Sequence, residues 1–289
     1  MQTIATAEGR TLAVHSDGDP AGFPVVMHHG TPSSGLLYER HVELAHEQGI
    51  RLVGYDRPGY GGSAREPGRS VSDCAADVDA IADALRLDRF VTWGISGGGP
   101  HALACAALCD RRLVAAASLA AVAPQDAEGL DWLAGMGDEN HVEFGHAAAG
   151  EEQLRTYLAA EAEEIRAAGP ERLVAVMETL LGPEDRAVLS GAFAEYLLKA
   201  DRHGLADGVD GWVDDDLAFL APWGFELSSI DRPVLLLHGD DDRFVPVAHG
   251  RWLADHIPGV EARIDAADGH LTLIERRLRE VNEWLLAHS

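Results

Sequence analysis

Cysteine, lysine and long apolar runs are all scarce in this chain of 289 residues. The three cysteines, Cys74, Cys105 and Cys109, are too few and odd in number for a disulfide framework. Cys105 and Cys109 stand four apart on a predicted helix, but no second Cys/His pair has matching spacing. They read as small packed residues, and no metal is expected. No stretch approaches eighteen uninterrupted apolar residues, as a membrane span of roughly that length requires. The segment Met1–Glu8 has no basic region followed by a long apolar one, so neither a secretory signal nor an anchor is predicted. A cytoplasmic location is the expectation. Positive charge is also short: 23 Lys+Arg against 48 Asp+Glu give a net charge of −25, with Lys199 the only lysine. Such a balance argues against nucleic acid as a partner, because phosphate contacts need basic surface, and it disfavours anionic membranes. There is no internal repeat and no low-complexity tract. The acidic cluster Asp214-Asp215-Asp216 reads as a solvated turn.

What is present is an alternation of short apolar or β-branched runs with helical stretches, the pattern of a largely parallel sheet covered by helices. Strands are predicted at 3–6, 11–16, 24–28, 50–55, 89–94, 112–121, 233–238 and 260–265, and helices at 35–48, 70–86, 97–109, 246–257 and 270–287. The turn signal Ala7-Glu8-Gly9-Arg10 makes the first edge antiparallel. Between about 124 and 229 the alternation stops. That stretch is rich in Ala, Glu and Leu, with helix-length patterns at 150–168 and 170–181, and reads as a helical insertion. The core is therefore expected from 1–123 and 230–289, with 124–229 inserted.

One motif carries most of the chemistry. Gly94-Ile95-Ser96-Gly97-Gly98 follows the apolar run Phe90-Val91-Thr92-Trp93 and opens an Ala-rich helical stretch. A serine on a sharp strand-to-helix turn needs residues without bulk two positions before and after it, so this reads as a nucleophile elbow. A serine hydroxyl is a weak nucleophile, and needs a base oriented by a carboxylate. His270, in Asp268-Gly269-His270, follows a predicted strand and supplies an imidazole with a pKa near neutrality. Gly239-Asp240-Asp241-Asp242 follows another strand, and chemistry alone does not choose among its three aspartates. His28-His29-Gly30-Thr31-Pro32, after the strand Pro24–Met27, offers an oxyanion loop in which the N–H of Thr31 would pair with that of Gly97. His28, His101 and His238 read as structural, as do Ser34 and Ser63 in turns. Arg57 reads as a loop anchor. Trp132, Trp212, Phe219, Trp223 and Phe225 would either line a pocket or pack the insertion itself.

Together with Asp56-Arg57-Pro58-Gly59-Tyr60-Gly61-Gly62-Ser63, these motifs make the chain resemble the α/β-hydrolase superfamily over nearly its whole length. The resemblance implies an α/β fold with a mostly parallel eight-stranded sheet flanked by helices and a helical cap inserted after strand 6. It also implies Asp242 as the acid, because a Gly-x-x-Asp-x-x-Val-Pro pattern is matched by Gly239 to Pro246. Thr31 and Gly97 are implied as the oxyanion hole, and Ser96, Asp242 and His270 as the triad.

The activity expected from this set is hydrolysis of a carboxylic ester of a small molecule, with no cofactor. Dehalogenases and epoxide hydrolases of similar fold use an aspartate where this chain has Ser96. Prolyl iminopeptidase-like cleavage is the nearer alternative, although His29-Gly30-Thr31-Pro32 and the elbow depart from that group's His-Gly-Gly-Pro-Gly and Gly-Gly-Ser-Trp-Gly. Lactonase, thioesterase and perhydrolase chemistry would use the same residues. Outside enzymes, a catalytically silent ligand-binding protein is the remaining alternative, and the intact Ser96, Asp242 and His270 speak against it.

Overall fold

The computed structural model describes the backbone of residues 1–289 and every side chain except that of Val176. Strands β1 (Gln2–Ala5), β2 (Thr11–Gly18), β3 (Phe23–His28), β4 (Ile50–Tyr55), β5 (Phe90–Ile95), β6 (Leu113–Leu119), β7 (Val234–Gly239) and β8 (Glu261–Asp265) form one sheet. Their order is β1-β2-β4-β3-β5-β6-β7-β8. The pairs β1–β2 and β2–β4 are antiparallel, and every later pair is parallel. This is an α/β fold with a mostly parallel eight-stranded sheet, and all eight predicted strands lie in it.

The central strands are apolar on both faces because helices cover both sides of the sheet. Val25 and Met27 of β3 pack into one core and Val26 into the other; Leu235 and Leu237 of β7 are likewise separated from Val234 and Leu236. Helices α1 (Glu39–Glu47) and α12 (Leu278–Ala287) contribute to one core, and α2 (Cys74–Leu85) and α3 (Gly98–Leu108) to the other. Cys105 of α3 and Cys109 just after it are buried, and both thiols are free.

Between β6 and β7 come α4 (Asp138–Ala149), α5 (Glu151–Ala167), α6 (Pro170–Val176), α7 (Pro183–Val188), α8 (Gly191–Gly204) and α9 (Asp210–Leu220). After β7 follow α10 (Val247–His256) and α11 (Thr272–Arg276). No helix is long and apolar enough to cross a membrane among the described residues.

Two expectations require correction. The helix expected over 270–287 is broken into α11 and α12 at Arg277, whose guanidinium is drawn aside to Asp268, 2.7 Å from its Nε, and to Asp265. The acidic triplet is not a solvated turn: Asp214, Asp215 and Asp216 lie within α9 and are all buried. Successive helical residues point about 100° apart, so each carboxyl meets a different environment. Asp214 takes both arms of Arg65 at 2.8 Å, Asp215 meets Arg57 and Arg69, and Asp216 lies against Glu143.

Candidate active site

Ser96 stands at the end of β5 with φ at +55°, a left-handed conformation that costs a non-glycine residue energy. Its N–H still bonds the Leu119 carbonyl at 2.9 Å, as if the strand continued. Its own carbonyl then accepts from Gly99 N–H at 2.8 Å, so the chain turns into α3 within one residue. The flanking glycines are required sterically: a Cβ on Gly94 would run into the Gly98 carbonyl, and one on Gly98 into the carbonyls of His28 and His29.

Asp242 and His270 come together beyond β7 and β8. Asp242 Oδ1 accepts the N–H groups of Phe244 at 2.9 Å and Val245 at 2.8 Å, while Oδ2 faces His270 Nδ1 at 2.7 Å. Neither Asp240 nor Asp241 does this; Asp240 pairs with Arg251. A carboxylate at Nδ1 fixes the proton there and leaves Nε2 free to accept one. Burial works against a charged imidazole, but the Asp242 carboxylate outweighs it and raises the His270 pKa above its ordinary 6.5. Phe244 stacks on the ring with centroids 4.5 Å apart. Ser96 and His270 line the same cavity of about 210 Å³, and no hydrogen bond joins the serine hydroxyl to the imidazole among the described residues. Such bonds often tighten only when substrate is bound.

The loop after β3 approaches the elbow closely. A Cβ on Gly97 would collide with the Thr31 side chain, so the two residues face each other. Among the described residues, neither Thr31 N–H nor Gly97 N–H has an acceptor within the protein. Two free donors beside a serine at a helix start are what an oxyanion needs.

That loop is held by a buried ionic hub, of which the sequence singles out Arg57 as a loop anchor but not its acidic partner. Arg57 Nη2 donates to Gly30 O and Thr31 Oγ1 at 3.0 Å and to Asp215 Oδ2 at 2.6 Å, and its Nη1 reaches His29 O. Arg69 and Tyr60 complete the shell of Asp215 at 2.5 and 2.9 Å, and the Thr31 hydroxyl donates to the same carboxylate at 2.6 Å. Burial opposes the charge on Asp215, yet Arg57 and Arg69 hold its carboxyl well below the usual range. His29 Nδ1 lies 2.7 Å from Gly30 O, and its Nε2 accepts from Arg57 N–H at 3.2 Å, which selects the neutral tautomer. Burial and Arg57 depress its pKa accordingly.

A second contribution from the helical segment concerns His270. Asp185 of α7 is fully buried and accepts the N–H groups of His270 and Leu271 at 2.8 Å and of Thr272 at 3.1 Å. Sequence inspection missed it because its partners lie 85 or more residues away. Asp185→Asn should lower kcat by about 10²-fold, the scale of a 1 Å misplacement, while Ser96 stays in place. Comparing kcat and the melting temperature separates this from simple loss of structure: unchanged kcat would show that Asp185 does not position the loop.

The other residues singled out in the sequence lie elsewhere. His28 closes β3, and His101 Nδ1 lies 2.7 Å from Gly97 O in the first turn of α3. His238 Nε2 bonds the Val245 carbonyl at 2.7 Å rather than serving Ser96. Of the five aromatic residues, Trp212 lines the cavity and donates to Glu143 at 2.8 Å, and Phe219 lies close to Gly97. Trp132, Trp223 and Phe225 pack into or against the core.

Comparison with known proteins agrees with this architecture. The model of the alpha/beta hydrolase fold family matches residues 24–277. The chain belongs to that family. This α/β hydrolase is 28% identical to a non-heme chloroperoxidase from Streptomyces lividans over 86% of its own length and 84% of the relative's. It is 26% identical to a bifunctional esterase/perhydrolase from Acinetobacter calcoaceticus, covering 85% and 84%. Among solved structures, a bromoperoxidase from Bacillus anthracis superposes with a TM-score of 0.73 at 22% identity, covering 99% of each chain.

Proposed function

We propose that this α/β hydrolase cleaves carboxylic esters of small or medium-sized molecules through an acyl-enzyme on Ser96. The observation that carries the reading is the 2.7 Å contact from Asp242 to His270 in the cavity that also holds the strained Ser96. In this reading Ser96 Oγ attacks the acyl carbon as His270 Nε2 takes its proton. The carbonyl oxygen, now negative, lies between the N–H groups of Thr31 and Gly97. Collapse expels the alcohol with the proton from His270, and water activated by the same imidazole releases the acid. The segment 124–229 acts as a cap on the core formed by 1–123 and 230–289, since residues of both parts line the cavity.

The cavity wall gives this reading a charge preference. Glu139, Glu143, Glu161 and Asp201 line it and, among the described residues, no arginine or lysine does. Burial raises the Asp201 carboxyl to about 7 and pushes Glu143 and Asp216, which share one pocket of the interior, above the usual carboxylate range. With no cation to pair it and with wall carboxyls that burial pushes toward the neutral form, a free carboxylate is disfavoured and a neutral substrate fits best. A second reading, perhydrolysis, has hydrogen peroxide in place of water attacking the same acyl-enzyme to give a peracid. The name of the Acinetobacter relative supports it.

The test is a matched panel: p-nitrophenyl esters of increasing acyl length, the same esters carrying an amine or a carboxylate, and proline p-nitroanilide, each with and without peroxide. Labelling by a fluorophosphonate, located by mass spectrometry, is expected on Ser96. Failure to label together with silence on every ester would overturn the reading. A faster prolyl amide would select an aminopeptidase instead.

The pH dependence follows from the raised His270 pKa. The protonated imidazole cannot accept the Ser96 proton, so kcat/KM on a neutral ester should fall as pH drops, with an apparent pKa above 6.5. A limb centred well below that value would count against His270 as the base.

A further inference from the structure

Away from the serine, three side chains from separate parts of the chain converge on one point. His15 lies on β2, Asp56 follows β4, and His203 lies near the end of α8. One donor atom from each lies within 4.8 Å of the others. His15 Nε2 is 3.3 Å from Asp56 Oδ1, and His203 Nε2 is 3.1 Å from Asp56 Oδ2. The two imidazoles meet edge to face, with centroids 5.7 Å apart.

Hydrogen bonding alone leaves this arrangement incomplete. His15 Nε2 is buried and has no hydrogen-bond partner, although a carboxylate oxygen is only 3.3 Å away. A buried nitrogen left in that condition is rare and calls for a water or an ion. The carboxylate itself is already supported by the Gly35 N–H at 2.8 Å and the Gly62 N–H at 3.0 Å. The neighbouring Arg57 offers no compensation, because its guanidinium is committed to Asp215 and the His29–Thr31 loop.

We infer that His15, Asp56 and His203 form a site for a first-row divalent cation, best suited to zinc, that joins the helical segment to the sheet. Two imidazole nitrogens and one carboxylate oxygen are the donor set such an ion prefers, with water in the fourth place. His15 and His203 meet different oxygens of Asp56, so an ion would draw the three donors, now within 4.8 Å of one another, toward the roughly 3.3 Å separations of a tetrahedron with bonds of about 2.0–2.1 Å. The way in is past His203, whose side chain is 30% exposed, while Asp56 is closed from water. The supporting backbone is fixed: Gly61 N–H bonds Gly204 O at 3.0 Å, tying the end of α8 to the loop that carries Asp56. Any side chain at Gly61 would strike both Asp56 and His203. The cysteine pair that suggested no metal is unrelated to this site, whose ligands are too far apart in sequence to form a spacing motif.

The test uses untagged, full-length protein stripped with EDTA and returned to zinc by equilibrium dialysis, with metal content read by mass spectrometry. One zinc per chain is expected, with intense visible bands of tetrahedral cobalt when Co²⁺ replaces it and a rise in melting temperature on zinc addition. His15→Ala and His203→Gln should each weaken zinc binding by at least about tenfold, since even partners beyond the ligands commonly cost that much. His256→Ala, at an exposed position on α10, should leave it unchanged. Circular dichroism of the stripped variants separates lost ligands from lost structure, and the cobalt spectrum of the unaltered protein needs no variant. The inference is overturned if the stripped protein takes up no zinc, if both variants keep wild-type affinity, or if cobalt shows only its weak octahedral spectrum. Ester hydrolysis is read separately, so failure here leaves the serine mechanism standing.

Discussion

Ser96→Ala is expected to lower kcat on any ester the protein turns over by about 10⁴- to 10⁶-fold, with the melting temperature unchanged or higher. The size follows from removing the nucleophile of a unit whose other members cannot act without it. The stability expectation follows from the strained φ of +55° at Ser96, which alanine tolerates no worse while one small polar group is lost. The same logic makes the effects non-additive: Ser96→Ala with His270→Ala should be no slower than Ser96→Ala alone. Asp242→Asn should cost about 10⁴-fold through the wrong imidazole tautomer, whereas Asp240→Asn and Asp241→Asn should stay near wild type. Single-turnover and steady-state rates on one responsive ester measure all of these. Multiplicative losses in the double variant would show that the residues do not work as a unit.

The largest effect on stability is expected at Asp215. Asp215→Ala leaves Arg57 and Arg69 buried without their carboxylate, and breaking a buried pair in this way typically costs about 3–5 kcal/mol. The Thr31 and Tyr60 hydroxyls lose their acceptor at the same time. The pH dependence has a definite sign. A carboxyl held below its unfolded value stabilises the fold above about pH 4, and that contribution is lost as pH falls through the depressed native value. Urea unfolding of both proteins at pH 7, at pH 4 and at about pH 2 tests this, the difference being expected to persist at pH 4 and to shrink only at the lowest pH. A difference under about 1 kcal/mol at pH 7 would show that the arginines find other partners.

The parts of this molecule that could be read from sequence are those whose cause is local. Each central strand is a short apolar run because the sheet is covered there on both faces, and the glycines around Ser96 are needed by a turn made within five residues. The pairing of His270 with Asp242, rather than with its two acidic neighbours, could be expected only by resemblance, because three adjacent aspartates carry the same chemistry. Asp214 to Asp216 mislead for a related reason. Acidic side chains signal water until their partners are known, and Arg57, Arg65 and Arg69 precede them by roughly 150 residues. A helical reading of Trp212 to Phe219 was the available clue, since apolar residues one turn or two apart on that stretch demand a buried face. No comparable clue existed for Asp185, or for the meeting of His15, Asp56 and His203.

The two carboxylates lent by the segment between β6 and β7 have a bearing on how this chain can change by descent or by design. In the proposed reading this segment is the lid, and lids are natural parts to exchange when a new substrate is wanted, because they stand over the reacting atoms without belonging to them. Here the exchange is not free. A borrowed lid without counterparts of Asp185 and Asp215 would unseat the base and strand two arginines beneath it. A workable graft must carry both acids in register, so inherited variation in lid helices is filtered by the chemistry below before substrate choice is felt.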